Sequence, residues 1–98
     1  TYCAGDQIEN MDFLEVKDIV SVQINDAVIG RSANMQIDQE RELPGDSGII
    51  DLKKFLDFIN SKGYNGAVSV EPFNKEINLM ETTKKLKRVR ASILKHGF

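Results

Sequence analysis

Two short stretches of the chain alternate between apolar and polar residues, the period-two pattern of a β-strand. The first spans Ile19–Asn25 and the second spans Ala67–Glu71. One face of the pair would carry Val20, Val22, Ile24, Val68 and Val70, and the other Ser21, Gln23, Asn25, Ala67, Ser69 and Glu71. We therefore predict two strands, the second ended by Pro72, because proline cannot donate a hydrogen bond to a ladder.

The segment between these strands predicts a helix over about Leu52–Lys62. Asp51 is suited to cap its start, Gly63 supplies a left-handed stop, and an apolar stripe recurs at helical spacing. A strand, a helix of about 10 residues and a second strand form a crossover that brings the strands together in parallel. The polar second face favours a barrel over a doubly wound open sheet, whose strands are usually apolar on both faces.

Two further helices are expected outside this unit. The first covers about Gln7–Lys17, with Asp6 as its cap and an apolar stripe through Ile8, Met11 and Leu14. The second covers about Asn78–Lys95, with Asn78 and Glu81 as a possible capping box. The predicted order is thus helix, strand, helix, strand, helix.

The long connection over residues 26–47 is too long for a passive link in a compact domain, so a functional or mobile role is expected. Asn25 and Asp26 are expected to cap the strand end or to order this connection rather than to touch substrate. Gly45 and Gly48 indicate a tight turn, because glycine adopts turn conformations readily.

Composition and charge limit the possible partners. The chain has 98 residues, with 13 basic and 15 acidic side chains and a net charge of −2, so one domain is expected and nucleic acid is not indicated. A single cysteine and the lack of a bilayer-length apolar run favour a cytoplasmic protein without a membrane segment. The opening TYCAGD at Thr1 is typical of an interior segment of a longer protein.

The motifs VQINDA, QIDQERELPGDSGIID and GYNGAVSVEPF together resemble the C-terminal quarter of the xylose-isomerase-like TIM barrels, the sugar phosphate isomerase/epimerase group. The resemblance covers about Asp18–Phe73, and the final helix fits the eighth helix of the barrel. It implies an α/β fold in which this chain supplies the last two βα units of a (βα)8 barrel, with parallel strands.

The resemblance also implies a site. Glu71 matches a glutamate that ligates a divalent metal, and Gln23 stands where the family commonly has a histidine ligand. Its amide oxygen would favour hard cations such as Mg²⁺ or Mn²⁺. Arg41 matches an arginine that contacts substrate oxygens or phosphate. The remaining ligands lie on earlier strands of the family, one of them immediately before Thr1.

Other chemically capable residues have structural explanations. His96 falls in the last turn of a helix, where a cation suits the dipole, so a catalytic role is not expected. Cys3 is interpreted as a small packing residue. The KKLKRVR run is interpreted as the solvated face of the last helix, with Leu86 and Val89 packed beneath it.

We hypothesise that the complete protein isomerises or epimerises a sugar or sugar phosphate by removing a proton beside a carbonyl. In this hypothesis Glu71 serves as metal ligand and acid/base, Gln23 as ligand and Arg41 as substrate anchor. A lyase that removes water through the same enolate is an alternative, because Gln at the position of Gln23 also occurs in related dehydroshikimate dehydratases. A third hypothesis is a non-catalytic piece that self-associates or binds the rest of a barrel, because two strands cannot close one.

Overall fold

Two parallel strands and the helix that connects them form the centre of the computed structural model, which describes Tyr2, residues 5–71 and residues 73–97. Strand β1 is Val22–Ile24, helix α1 is Leu52–Ser61 and strand β2 is Val68–Val70. The strands pair in parallel, with Gln23 opposite Ser69. The predicted crossover is confirmed, and each strand is shorter than the alternating pattern suggested.

The core lies between this sheet and α1. Val22 and Ile24 from β1 pack against Leu52 and Ile59 from α1, and all four are buried. The predicted stripe on α1 is confirmed. A buried aliphatic side chain contributes about 1.5–3 kcal/mol, so these four residues account for much of the local stability.

Helix α1 begins and ends where the sequence predicted. The Asp51 carboxylate accepts a hydrogen bond from the Lys54 N–H at 3.0 Å, which satisfies one of the free amides of the first turn. Gly63, one residue after the C-cap Lys62, adopts a φ of +89°. A side chain rarely tolerates this conformation, so glycine ends the helix at low cost.

The first predicted helix is wrong. Residues 7–17 instead form a short 3₁₀ helix at Ile8–Met11, and another follows at Val16–Asp18. Neither has an Asp6 cap, since the N-caps are Gln7 and Glu15. Acidic residues recur at every third position of this segment, so in a continuous helix each carboxylate would be an i,i+3 neighbour of the next, which is unfavourable. These residues are Asp6, Glu9, Asp12, Glu15 and Asp18.

The C-terminal part contains two helices rather than one. Helix α2 spans Lys75–Asn78 and helix α3 spans Thr82–His96. The Asn74 side-chain oxygen accepts from the amides of Glu76 and Ile77, so a first helix begins before the predicted start. The predicted Asn78–Glu81 box is therefore wrong: Asn78 ends α2, whereas Glu81 alone caps α3.

Two apolar residues lie outside the positions predicted for them. Val20 was placed on the packed face but is 95% exposed, because β1 begins two residues later, and its neighbour Ile19 packs against the core instead. Leu86 is 65% exposed rather than packed beneath α3, whereas Val89 is half-buried. The predictions for Cys3 and Pro72 concern positions outside the described residues.

Candidate functional site

The carboxyl ends of both strands open onto a cavity of about 650 Å³. Gln23 from β1, Arg41 from the long connection and Glu71 after β2 all line it. The parallel register places Gln23 of β1 opposite Ser69 of β2, so the polar faces of the two strands lie side by side. Glu71 comes two residues after Ser69 and therefore lies on the same face as Ser69. The three residues singled out from the sequence are therefore brought to one cavity.

Arg41 and Glu71 form an ion pair at the edge of this cavity. Arg41 Nη1 donates to Glu71 Oε2 at 2.8 Å, and the two side chains are 26% and 27% exposed. The Glu71 backbone is fixed on both sides, because its N–H donates to the Ile24 carbonyl and its own carbonyl accepts from the Phe73 N–H. Backbone hydrogen bonds thus hold the carboxylate at the end of β2.

Three other residues position Arg41. Its N–H donates to the Phe73 carbonyl at 3.0 Å, and its carbonyl accepts from Asn74 Nδ2 at 2.9 Å. Its guanidinium lies 4.9 Å from the centre of the Phe73 ring, within cation–π distance. Its second terminal nitrogen, Nη2, donates to Asp38 Oδ1 at 3.1 Å. Sequence reasoning found Arg41 but missed Asp38, which lies three residues before it, and also Phe73 and Asn74, which reach it only in the folded chain.

Asp26 organises the connection from within. It is 1% exposed, and its carboxylate accepts from the backbone amides of Ala27, Gly48 and Ile50 at 2.8–3.0 Å. Its backbone also exchanges two hydrogen bonds with Glu42. The prediction that Asp26 orders the connection is confirmed, and both of its oxygens are occupied by amides.

A tight turn lies at Leu43–Asp46 and contains Gly45 as predicted, whereas Gly48 lies beyond it and donates its N–H to Asp26. The Asp46 N–H donates to the Leu43 carbonyl at 3.1 Å, and Gly45 has a φ of +81°, as the third position of a type II turn requires. A Cβ on Gly45 would lie 2.5 Å from His96 Cγ, so the turn sits directly against α3.

A cluster of polar side chains joins this turn to α3. Asp46 Oδ2 accepts from Arg88, and its Oδ1 lies 2.7 Å from Ser92 Oγ and 3.2 Å from His96 Nε2. Burial alone would raise the pKa of Asp46, but the hydrogen bonds from Arg88, Ser92 and His96 outweigh it and hold that pKa below its usual value. His96 ends α3 as predicted and contacts this carboxylate.

This cluster contains serine, histidine and aspartate but lacks the order of a hydrolytic triad. In a triad the histidine lies between the serine and the aspartate, whereas here Asp46 contacts both. Ser92 is also 1% exposed and out of reach of a substrate. Sequence reasoning missed the cluster, although Arg88, Ser92 and His96 recur at every fourth position and so share one helix face.

The cavity contains side-chain oxygen atoms of the kind that can ligate hard cations. Gln23 and Glu71 offer amide and carboxylate oxygens, the ligands that Mg²⁺ and Mn²⁺ prefer. Among the described residues, no group of three or more His, Cys, Asp or Glu side chains could hold a metal by itself. The two oxygen donors fit such an ion only together with ligands from elsewhere.

Comparison with known proteins places this arrangement in a family. The family model for the xylose isomerase-like TIM barrel matches residues 1–94. The chain belongs to this family. The parallel β1–α1–β2 unit agrees with the xylose isomerase-like TIM barrel, and the family is generally enzymatic, of the sugar isomerase/epimerase type. No curated protein and no solved structure matches the chain.

In the part of the chain that the structure describes, no helix is long and apolar enough to cross a membrane.

Proposed function

We propose that this chain supplies the last two βα units of a TIM barrel that isomerises or epimerises a sugar or sugar phosphate. The observation that carries the proposal is that Gln23, Arg41 and Glu71 line one cavity at the carboxyl ends of adjacent parallel strands. Active sites of TIM barrels lie at that end of the sheet. Family membership supports the reaction class at a coarse level.

Each of the three residues has a distinct proposed role. Glu71 takes a proton from the carbon beside the substrate carbonyl and returns it to the product. Arg41 binds a substrate oxygen or phosphate through its guanidinium, whose planar donors match an anion. Gln23 and Glu71 are the residues of this chain that would hold a divalent metal, Mg²⁺ or Mn²⁺. The ion would supply Lewis-acid polarisation of the carbonyl.

Proton exchange in D₂O tests the role of Glu71. The complete protein is incubated with aldoses, ketoses and their phosphates in the presence of Mg²⁺ or Mn²⁺, and NMR follows deuterium entry beside the carbonyl. Glu71→Gln should slow the exchange by about 10²–10⁴-fold, the usual contribution of a positioned acid/base. Glu76→Gln, which removes the same charge from exposed α2, should leave it unchanged. Equal rates in wild type and Glu71→Gln would exclude the proposed role.

A lyase on the same barrel is a second candidate, and Gln23 at the end of β1 favours it. Gln23 lines the cavity, and its resemblance to the glutamine of the dehydroshikimate dehydratases supports this candidate. Proton removal beside a carbonyl serves both reactions. The NMR spectra separate the two. An isomerase or epimerase gives a new sugar of unchanged mass, whereas a lyase gives a product with a carbon–carbon double bond and one water fewer.

The apolar surface supports a partner proposal. Val20 is 95% exposed, Leu79 is 87% exposed and Leu86 is 65% exposed. We propose that these residues are covered by the rest of the barrel or, when the chain is alone, by another copy of it.

A further inference from the structure

The guanidinium of Arg41 is shared between two carboxylates of unequal exposure. Nη1 contacts Glu71 at 2.8 Å, and Nη2 contacts Asp38 at 3.1 Å. The Glu71 side chain is 27% exposed and follows a hydrogen-bonded strand, whereas the Asp38 side chain is 79% exposed and lies on the long connection. Asp38 is therefore the carboxylate that can leave Arg41 at lower cost.

Both terminal nitrogens of Arg41 are thus engaged before any ligand arrives. A phosphate or carboxylate binds an arginine best through two parallel N–H groups. Asp38 and Arg41 both line the cavity that holds Glu71. Each terminal nitrogen of Arg41 carries a second N–H, but an anion that binds both nitrogens competes for them with the two carboxylates.

We propose that Asp38 is a specificity-determining residue that occupies the anion position on Arg41 and is displaced when an anionic substrate binds. The proposal rests on the function proposed above, since it assumes that Arg41 is the substrate anchor. Asp38 would thereby weaken the binding of small anions, and a substrate must add contacts elsewhere in the cavity to displace it. Neutral sugars, which need no displacement, would be insensitive to this residue.

The other contacts of Arg41 do not change in this exchange. Its backbone stays bonded to Phe73 and Asn74, and its guanidinium stays near the Phe73 ring. Arg41 therefore keeps its position, and only the exposed side chain of Asp38 moves. Exposed ion pairs contribute little to stability, so exchange of Asp38 for a ligand needs no large rearrangement.

Inorganic phosphate is the probe, and isothermal titration calorimetry measures its dissociation constant on the whole protein. Asp38→Asn should tighten phosphate binding by about two- to fivefold, the upper part of the range set by an exposed ion pair. Asp57→Asn is the matched control. It removes the same charge from an exposed pair with Lys53 on α1, away from the cavity, and should change phosphate binding less than twofold.

Arg41→Ala separates this inference from the function on which it rests. Phosphate binding should be lost in Arg41→Ala and should stay lost in the Asp38→Asn/Arg41→Ala double variant. If wild type binds phosphate through Arg41 but Asp38→Asn equals Asp57→Asn, the role of Asp38 is wrong and the anchor stands. If Arg41→Ala binds phosphate as wild type does, or if no variant binds it, both the anchor and the role of Asp38 are wrong.

Discussion

Asp26 shows at the residue scale how a carboxylate at an active-site edge can be purely structural. It lines the same cavity as Glu71, yet its oxygens accept three backbone amides of the connection. A buried carboxylate that lacked these donors would be costly. Asp26 therefore shapes the cavity, whereas the Glu71 carboxylate pairs with the side chain of Arg41 at its edge.

Replacement of one acceptor oxygen of Asp26 should lower the free energy of unfolding. Asp26→Asn replaces one of the two carboxylate oxygens with an NH₂ group, which cannot accept a hydrogen bond. At least one backbone N–H therefore loses its acceptor, whichever oxygen is replaced. We expect the free energy of unfolding in urea to fall by about 1–3 kcal/mol, the cost of a buried unsatisfied donor. Asp57→Asn, an exposed change of the same chemistry, should alter it by less than about 0.5 kcal/mol. Equal losses in the two variants would contradict this account of Asp26.

At the scale of elements, the turn at Leu43–Asp46 and helix α3 form one unit. The turn packs Pro44 and Leu43 into the interior, and Asp46 holds three side chains of the helix. Arg41 lies two residues before this turn. The docking of α3 thus fixes one end of the segment that carries the proposed anchor.

A fall in pH should weaken the contact between the Leu43–Asp46 turn and helix α3. The pKa of Asp46 in the folded chain lies below the ordinary value of about 3.8, because three hydrogen bonds outweigh its burial. Its contribution is therefore fully present above that value and is lost as the pH falls through the lower folded pKa. The difference in unfolding free energy between wild type and Asp46→Asn should be larger at pH 5 than below about pH 4, where it shrinks. Urea titrations at several pH values measure it, and a difference that persists in strong acid would rule out the ionised form as its source.

The elements that could be predicted from sequence are those with local causes. Helix α1 carries its cap, its apolar stripe and its stop within one stretch, so both ends follow from nearby residues. The helix expected over residues 7–17 failed because the apolar stripe was weighed without the acidic residues at every third position. The cavity was predictable through Gln23, Arg41 and Glu71. Asp38 lies only three residues from Arg41 and was overlooked, whereas the Asp46 cluster depends on contacts between residues 42 to 50 positions apart.

At the scale of the whole molecule, the described residues form two strands of a fold that requires eight. Each strand has one edge without a partner among the described residues, and apolar side chains lie on the surface nearby. A small sheet of this kind gains stability when another sheet edge or apolar surface covers it.

The chain alone should therefore associate with itself. Sedimentation velocity should show a weight-average mass that rises with concentration above the 11.0 kDa of one chain. Val20→Lys should reduce this rise, because it places a charge at a 95% exposed site just before β1. Asn65→Lys adds the same charge at an exposed turn and should not. A single 11.0 kDa species at every concentration would refute self-association.

We expect ionic strength to affect one wall of the cavity, formed by Gln7 and Ile8, more than the opposite wall, formed by the strand ends. The wall from Gln7 and Ile8 belongs to a segment joined to α1 through the ion pairs Lys54–Glu9 and Lys62–Asp12. The hydrogen bond with Lys54 lowers the pKa of Glu9, and the same bond raises the pKa of Lys54, so both stay charged near neutrality. Salt screens exposed pairs but leaves backbone hydrogen bonds largely intact. Concentrated salt should therefore widen access to the cavity from this side while the strand ends stay in place.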